Sequence, residues 1–235
     1  MNPILVAHGT RKAAGVDMIG ELADRVSSQL GQRVRVAFVD VLGPTPAEVL
    51  RTVDGPAILV PAFLSAGYHV RRDIPEHVEA SGHSDVRVTK ALGPCPQMVR
   101  VVTDRLVESG WRHGDSVIMA AAGTSDPHAQ HDLRVTATLL SAALGSRVEL
   151  AYAATGEPRV ADAVATLRER GARRVVVASY LLADGLFQDR LRDSGADVVS
   201  EPLGLHLGTV RLIANRFRRA QVSGDVWSLS GAHHR

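Results

Sequence analysis

The sequence predicts an α/β protein built from two tandem, similar domains, each a four-stranded parallel sheet flanked by helices, with the active site in the cleft between them. Three observations carry the fold. The chain repeats itself: residues 4–10 read Ile-Leu-Val-Ala-His-Gly-Thr and residues 118–124 read Ile-Met-Ala-Ala-Ala-Gly-Thr, the mark of a duplicated unit. The same spacing of 114, His8 to Ala122, continues through Leu30-Gly31 and Leu144-Gly145, Val34 and Val148, Phe38 and Tyr152, and Pro44 and Pro158. Short apolar runs also alternate with stretches of helical period, the pattern of parallel sheets wound by right-handed crossovers. Finally, 235 residues suit two domains of roughly 110–120 residues each.

In chain order, Ile4–Ala7 reads as a short buried strand and Met18–Leu30 as a helix with apolar residues at helical spacing. Val34–Val39 is a second strand, and Thr45–Val53 a short helix whose Pro46 suits a first turn. Ala57–Leu64 is a third strand, Asp73–Ala80 a helix, Val86–Ala91 a fourth strand and Pro96–Ser109 a closing helix. The second copy places strands near 116–121, 148–153, 174–181 and 197–201, with a small insertion near Gly171 that raises the offset to 117 and matches Phe63-Leu64 to Tyr180-Leu181. The expected divisions are residues 1–112, residues 113–221, and a tail of 222–235 without apolar period.

Composition narrows the function. Twenty-seven basic against 25 acidic side chains leave a net charge of +2, and no block of five or more Lys/Arg occurs, so electrostatically driven nucleic-acid binding is not expected. Nearly all the positive charge is arginine, since only Lys12 and Lys90 are lysines, and arginine grips carboxylates in a fixed geometry. Cys95 is the single cysteine, which excludes an intramolecular disulfide, a cysteine-based zinc site and an iron–sulfur cluster. The start of the chain lacks a signal-peptide pattern and no apolar run reaches spanning length, so a cytoplasmic protein without a membrane partner is expected. No Walker loop occurs, and Gly204–Gly208 lacks dinucleotide spacing, so no organic cofactor is expected.

In open parallel sheets ligands bind outside the carboxyl ends of the strands. His8 follows the first strand, Asp40 closes the second, and His69 lies beyond the third. Two imidazoles and a carboxylate from three strands suit a divalent ion such as Fe, Co, Ni or Zn. Taken singly, each is an ordinary hydrogen-bonded loop residue; their recurrence at equivalent strand ends favours ligation. The pairs Arg11-Lys12 and Arg71-Arg72 follow the two histidines. Cations near helix N-termini oppose the macrodipole, so a polyanionic ligand accounts for them better than solvation does.

The phrases His8-Gly-Thr-Arg11, Val34–Asp40, Pro61-Ala-Phe-Leu-Ser-Ala-Gly-Tyr-His-Val-Arg-Arg-Asp-Ile-Pro75 and Leu92-Gly-Pro94 resemble the sirohydrochlorin chelatases of the CbiX/SirB type, in their long, two-copy form. The resemblance implies insertion of Fe²⁺ or Co²⁺, as substrate, into a sirohydrochlorin-like tetrapyrrole in sirohaem or cobalamin synthesis. It implies that His8 and His69 bind the metal and are catalytic, and that Asp40 stands where members often carry a glutamate ligand. It also implies tetrapyrrole contacts for Thr10, Arg11, Tyr68, Arg71 and Arg72. Cys95 stands where a histidine commonly follows Leu-Gly-Pro. A monomer is expected, with a homodimer as the alternative.

In the second copy Ala122 stands opposite His8, Ala154 opposite Asp40, and Leu186 opposite His69, or Phe187 if the glycines are aligned. That half is therefore expected to offer apolar groups, Tyr180, Leu181, Leu182 and Phe187, to a planar macrocycle. His128, His131 and His206 are weaker candidates. A phosphohistidine mechanism at His8 is disfavoured because Ala7, not arginine, precedes it. The rival to a chelatase is a non-catalytic metal or tetrapyrrole carrier on the same scaffold, which would use the same ligands.

Overall fold

The structure is a computed structural model that describes residues 1–10, 12–222 and 227–228. The first copy runs β1 (Asn2–Ala7), α1 (Ala13–Leu30), β2 (Arg35–Phe38), α2 (Pro46–Arg51), β3 (Ala57–Pro61), a π-helical turn (His69–Asp73) leading into α3 (Ile74–Ser81), β4 (Val86–Val88) and α4 (Pro96–Glu108). The second runs β5 (Ser116–Gly123), α5 (Pro127–Leu144), β6 (Val148–Thr155), α6 (Val160–Glu169), β7 (Val175–Tyr180), α7 (Leu186–Arg192), β8 (Val198–Val199) and α8 (Leu207–Val222), followed by β9 (Trp227–Ser228).

Local chemistry sets several boundaries. Thr45 and Glu48 form a reciprocal capping box with Pro46 in the first turn, which fixes the start of α2 one residue after Thr45. Gly31 and Gly145 end α1 and α5 in the left-handed conformation at φ 66° and 64°. Helix α1 begins at Ala13, ahead of the apolar period, because Ala13 and Ala14 sustain a helix without contributing to its buried stripe.

Two separate sheets form, in the strand orders β2-β1-β3-β4-β9 and β6-β5-β7-β8. The four strands from each copy are parallel, as expected. The first sheet gains a strand the sequence did not predict: Trp227–Ser228 pairs antiparallel with β4, Val88 opposite Trp227. It falls within the expected tail, the rest of which, apart from Val222, lies outside the described residues. Each sheet carries its own apolar core. Ile4, Val6, Leu50, Leu59 and Ile74 anchor the first, and Ile118, Ala151, Val164, Val177 and Leu191 the second.

The duplication persists in hydrogen-bond detail. The Val34 amide donates to Ser27 Oγ at 2.9 Å, and the Val148 amide to Ser141 Oγ at 3.0 Å. The Phe38 amide donates to the Pro44 carbonyl and the Tyr152 amide to the Pro158 carbonyl, at 2.9 and 3.0 Å. Strand pairing corrects one offset. Val6 lies opposite Pro61 and Ala120 opposite Ser179, so the third strands match with an offset of 118 and not 117. Phe63 therefore corresponds to Leu181, Gly67 to Gly185 and His69 to Phe187.

The compact units group the chain differently from the sequence repeat. One comprises Met1–Leu92 with the chain from Val210 on, and the other Gly93–Thr209. The closing helix of each copy has thus been exchanged. In the first unit Arg87 Nη1 donates to the Ala220 carbonyl of α8 at 2.9 Å, and Arg218 Nη2 to the Gln29 carbonyl at 2.5 Å. In the second, α4 packs on α5 and β7, and Arg105 Nε donates to the Pro202 carbonyl at 3.0 Å.

The edge of the second sheet carries a charge whose pH dependence can be read. Asp197 Oδ2 accepts the Val175 amide at 2.7 Å and Arg168 Nη2 at 2.5 Å. The amide first, then the guanidinium, holds its carboxyl below the ordinary value. A depressed folded-state pKa gives stability that is present above the unfolded value, about 3.9, and is lost as pH falls through the folded one. Asp197→Asn keeps an acceptor without the titration, so its thermal midpoint should fall less steeply than wild type between about pH 4 and pH 2. A parallel acid profile counts against this role.

Among the described residues no helix is long and apolar enough to cross a membrane.

Candidate functional site

Strand order decides which loops meet. From β1 the chain crosses to β2 on one side, then returns to place β3 on the other. The loops after β1 and β3 therefore diverge from a switch point between neighbouring strands, where open α/β sheets hold ligands. His8 leaves the end of β1 and His69 opens the π-helical turn after β3. Their rings meet edge to face, with centroids 4.4 Å apart and planes at 80°.

Each ring has an acceptor at Nδ1. His8 Nδ1 lies 3.1 Å from the Gly9 carbonyl, and a carbonyl only accepts, so Nδ1 carries the proton. His69 Nδ1 lies 2.5 Å from Asp73 Oδ2, with the same consequence at a carboxylate. In its neutral form each imidazole then keeps Nε2 as an open lone pair. Nitrogen donors of this kind bind divalent transition ions at about 2.0–2.1 Å, which requires two rings on one ion to lie side by side. These two do, in a partly open setting: the His69 side chain is 32% exposed. The ring of Phe63 stacks on His69 at 6.1 Å and 30°, and that of Tyr68 stands edge-on at 6.1 Å.

Asp40 runs beside this pair on the backbone. Its amide donates to the His8 carbonyl at 3.0 Å, while its Oδ1 accepts the Val41 amide at 2.7 Å. The approach is close enough that a Cβ on Gly9 would fall 2.2 Å from the Asp40 carbonyl oxygen. His8 and His69 are brought together. Asp40 does not complete a three-donor set with them, and among the described residues no group of three His, Cys, Asp or Glu side chains is placed to hold an ion.

The remaining expected contacts surround the histidines. Thr10 Oγ1 accepts the Lys12 amide at 3.2 Å at the head of α1. Tyr68 is 57% exposed. Arg71 and Arg72 are exposed on the π-helical turn, with Arg72 Nε 3.5 Å from Glu76 in a solvated pair of small energetic weight. Arg11 lies outside the described residues. Sequence reasoning gave no role to Asp73 and Phe63, although the His69–Asp73 spacing of four is a readable signal.

In the second copy Ala122, Ala154 and Phe187 fill the ligand positions, so the alignment on glycines is the correct one. Tyr180 and Leu181 are not available to a ligand: they are 2% and 7% exposed and belong to the core. A strand buried on both faces gives no alternation from which this can be told. Leu186 and Phe187 stay exposed at the start of α7. His206, the counterpart of Cys95, is engaged structurally. Its Nδ1 accepts the Gly208 amide at 3.0 Å, and its Nε2 faces Glu108 at 3.6 Å and Asp104 at 3.9 Å. His128 and His131 are exposed on α5.

Comparison with known proteins places this arrangement in a family. The chain is 25% identical over 205 residues to the sirohydrochlorin cobaltochelatase of Priestia megaterium, covering 81% of this chain and 67% of that protein. It is 25% identical over 126 residues to the sirohydrochlorin cobaltochelatase of Methanothermobacter thermautotrophicus, covering 44% of this chain and 88% of that protein. The fold matches SirB from Bacillus subtilis, solved with Fe³⁺, at a TM-score of 0.80 and 20% identity over 94% of this chain and 96% of that one. It also matches CbiX, described as the terminal enzyme of sirohaem biosynthesis in denitrifying bacteria, at a TM-score of 0.71 and 19% identity over 94% and 99%. The CbiX family model matches twice, over residues 2–109 and 116–220, once for each copy read in the sequence; the chain belongs to the CbiX family.

Proposed function

We propose that this chain is a chelatase that inserts a divalent ion, Fe²⁺ or Co²⁺, into sirohydrochlorin. The observation that carries the reading is the His8–His69 pair, with rings 4.4 Å apart and both Nδ1 protons committed. Insertion exchanges two pyrrole protons for one M²⁺ in a flat macrocycle. The two Nε2 atoms hold the incoming ion, and as it passes to the macrocycle they become free to accept the departing protons. Imidazole suits both steps, because the ring nitrogen that binds a cation is also the one that accepts a proton. Asp40 supplies negative charge beside the pair without entering a three-donor set. Tyr68, Thr10, Arg11, Arg71 and Arg72 are assigned to the tetrapyrrole.

The decisive experiment follows anaerobic absorbance of sirohydrochlorin with Fe²⁺ or Co²⁺, with and without the protein. Conversion well beyond one equivalent per chain supports a chelatase. Saturation at one equivalent identifies a carrier, and no acceleration with either ion overturns the metal reading.

The arginines give a separate test. A polycarboxylate pairs with guanidinium groups, whereas a cation does not. Arg71→Gln/Arg72→Gln should weaken tetrapyrrole binding about tenfold or more at low salt, with little change in Co²⁺ affinity. The difference should shrink in salt, since exposed charges are screened beyond roughly 8–10 Å. Loss of metal affinity with unchanged macrocycle affinity would reassign the pair.

A further inference from the structure

We propose that Asp73 is a positioning residue for the metal-handling pair: it holds His69 in the tautomer that presents Nε2, and it fixes the plane of that ring. The inference rests on the reading that His69 meets the ion. It begins from the backbone. The segment His69–Asp73 is a π-helical turn, closed by the Ile74 amide donating to the His69 carbonyl. Such turns are rare and concentrate at functional sites. The wider turn brings residue i+4 nearly into line with residue i, so Asp73 lies under His69 and Oδ2 reaches Nδ1 at 2.5 Å.

The position itself is informative. With the third-strand offset of 118, His69 corresponds to Phe187; past the π-helical turn, which adds one residue, the fully buried Ile74 takes the place that Leu191 holds in the second core. Asp73, just before Ile74, is a carboxylate only 20% exposed. A carboxylate withdrawn from water is costly unless it is hydrogen-bonded, and the partner it has here is His69.

The two histidines then use different anchors for the same end. His8 is oriented by a backbone carbonyl, which no side-chain replacement removes, while His69 depends on a side chain. Phe63 on one face and the edge contact with His8 limit ring tilt, but neither selects which nitrogen is protonated. Only a hydrogen-bond partner at Nδ1 does that, and partners of this kind typically change metal affinity by about 10–100-fold.

The test uses the full chain, without tetrapyrrole, and the variants Asp73→Asn and Asp73→Leu, the latter similar in size but unable to accept a hydrogen bond. Long-range ¹H–¹⁵N correlation spectra of the metal-free protein read the His69 tautomer directly. Wild type and Asp73→Asn, whose amide oxygen still accepts, should show a protonated Nδ1 and a bare Nε2. Asp73→Leu should move His69 toward the Nε2-protonated form. Calorimetric Co²⁺ affinity should fall about 10–100-fold in Asp73→Leu and only a few-fold in Asp73→Asn. The thermal midpoint of Asp73→Leu should not fall, which separates positioning from a structural role. An Nε2-protonated His69 in wild type, or an unchanged Co²⁺ affinity in Asp73→Leu, overturns the proposal. A wild-type chain with the expected tautomer but no Co²⁺ binding overturns the chelatase reading while supporting the Asp73–His69 coupling.

Discussion

Replacing His8 or His69 by alanine should lower the rate of metal insertion by about a hundredfold or more while leaving the protein folded. In the proposed mechanism, holding the ion and accepting a pyrrole proton fall to the same two Nε2 atoms, and a positioned proton acceptor alone is worth about 10²–10⁴-fold. The structural cost is small and differs between the two sites. His8 is exposed at a strand end, so its truncation opens no core cavity, and surface changes of this kind stay within about 0.5 kcal/mol. His69→Ala additionally strands the Asp73 carboxylate that its Nδ1–H contacts at 2.5 Å, and an unsatisfied, part-buried acceptor costs about 1–3 kcal/mol. His69→Ala should therefore melt slightly lower than His8→Ala although the two lose comparable activity. Asp40→Ala should be milder than either, because its carboxylate serves the Val41 amide and completes no donor set. Turnover within about twofold of wild type in His8→Ala would remove the central role of the pair.

What the sequence made legible here follows from what each signal depends on. The repeat and the strand ends were readable because parallel strands buried on both faces leave apolar runs bounded by loops, and His8, Asp40 and His69 stand at those boundaries. The exchange of α4 and α8 was not readable. Both helices present an apolar stripe, and a stripe fits the flank of either sheet equally well, so amphipathicity specifies that a helix packs but not on which sheet. The third-strand offset failed by one residue because Phe63-Leu64 and Tyr180-Leu181 are similar dipeptides, whereas the pairing of Val6 with Pro61 and Ala120 with Ser179 admits no such slip. The same slip set Leu186 opposite His69 unless the glycines were aligned, and set Tyr180 opposite Phe63. Asp73 was passed over for a different reason: the helix was expected to begin at Asp73, which left His69 in a loop, whereas the helical turn already opens at His69 and sets the two on one face.

The largest effect on folding is expected at Gly9. Its φ is +96°, a conformation side chains rarely adopt, and a Cβ there would stand 2.2 Å from the Asp40 carbonyl oxygen. That oxygen cannot yield easily, because the Asp40 amide is tied to the His8 carbonyl at 3.0 Å and the Leu42 amide to Asp40 O itself at 2.8 Å. The second copy repeats the feature: Gly123 has φ +100°, with a Cβ position 1.8 Å from the Thr155 carbonyl oxygen. The close approach therefore belongs to the scaffold, and in the first copy the loop that carries His8 is built over it. Gly9→Ala adds backbone strain of about 1–3 kcal/mol to an overlap that overpacking measurements place at about 1–3 kcal/mol, so a loss of roughly 2–6 kcal/mol is expected. Gly31→Ala is the control. Gly31 also has positive φ, +66°, but nothing lies within 4 Å of its Cβ position, so only the conformational part, about 1–2 kcal/mol, should be lost. Denaturant unfolding of the two variants separates the contributions. Because the strain at Gly9 is relieved by moving the loop that carries His8, whatever Gly9→Ala protein folds should also bind Co²⁺ more weakly than Gly31→Ala. Equal destabilisation of the two variants, with equal metal affinity, would mean that the backbone contact between Gly9 and Asp40 does not shape the site.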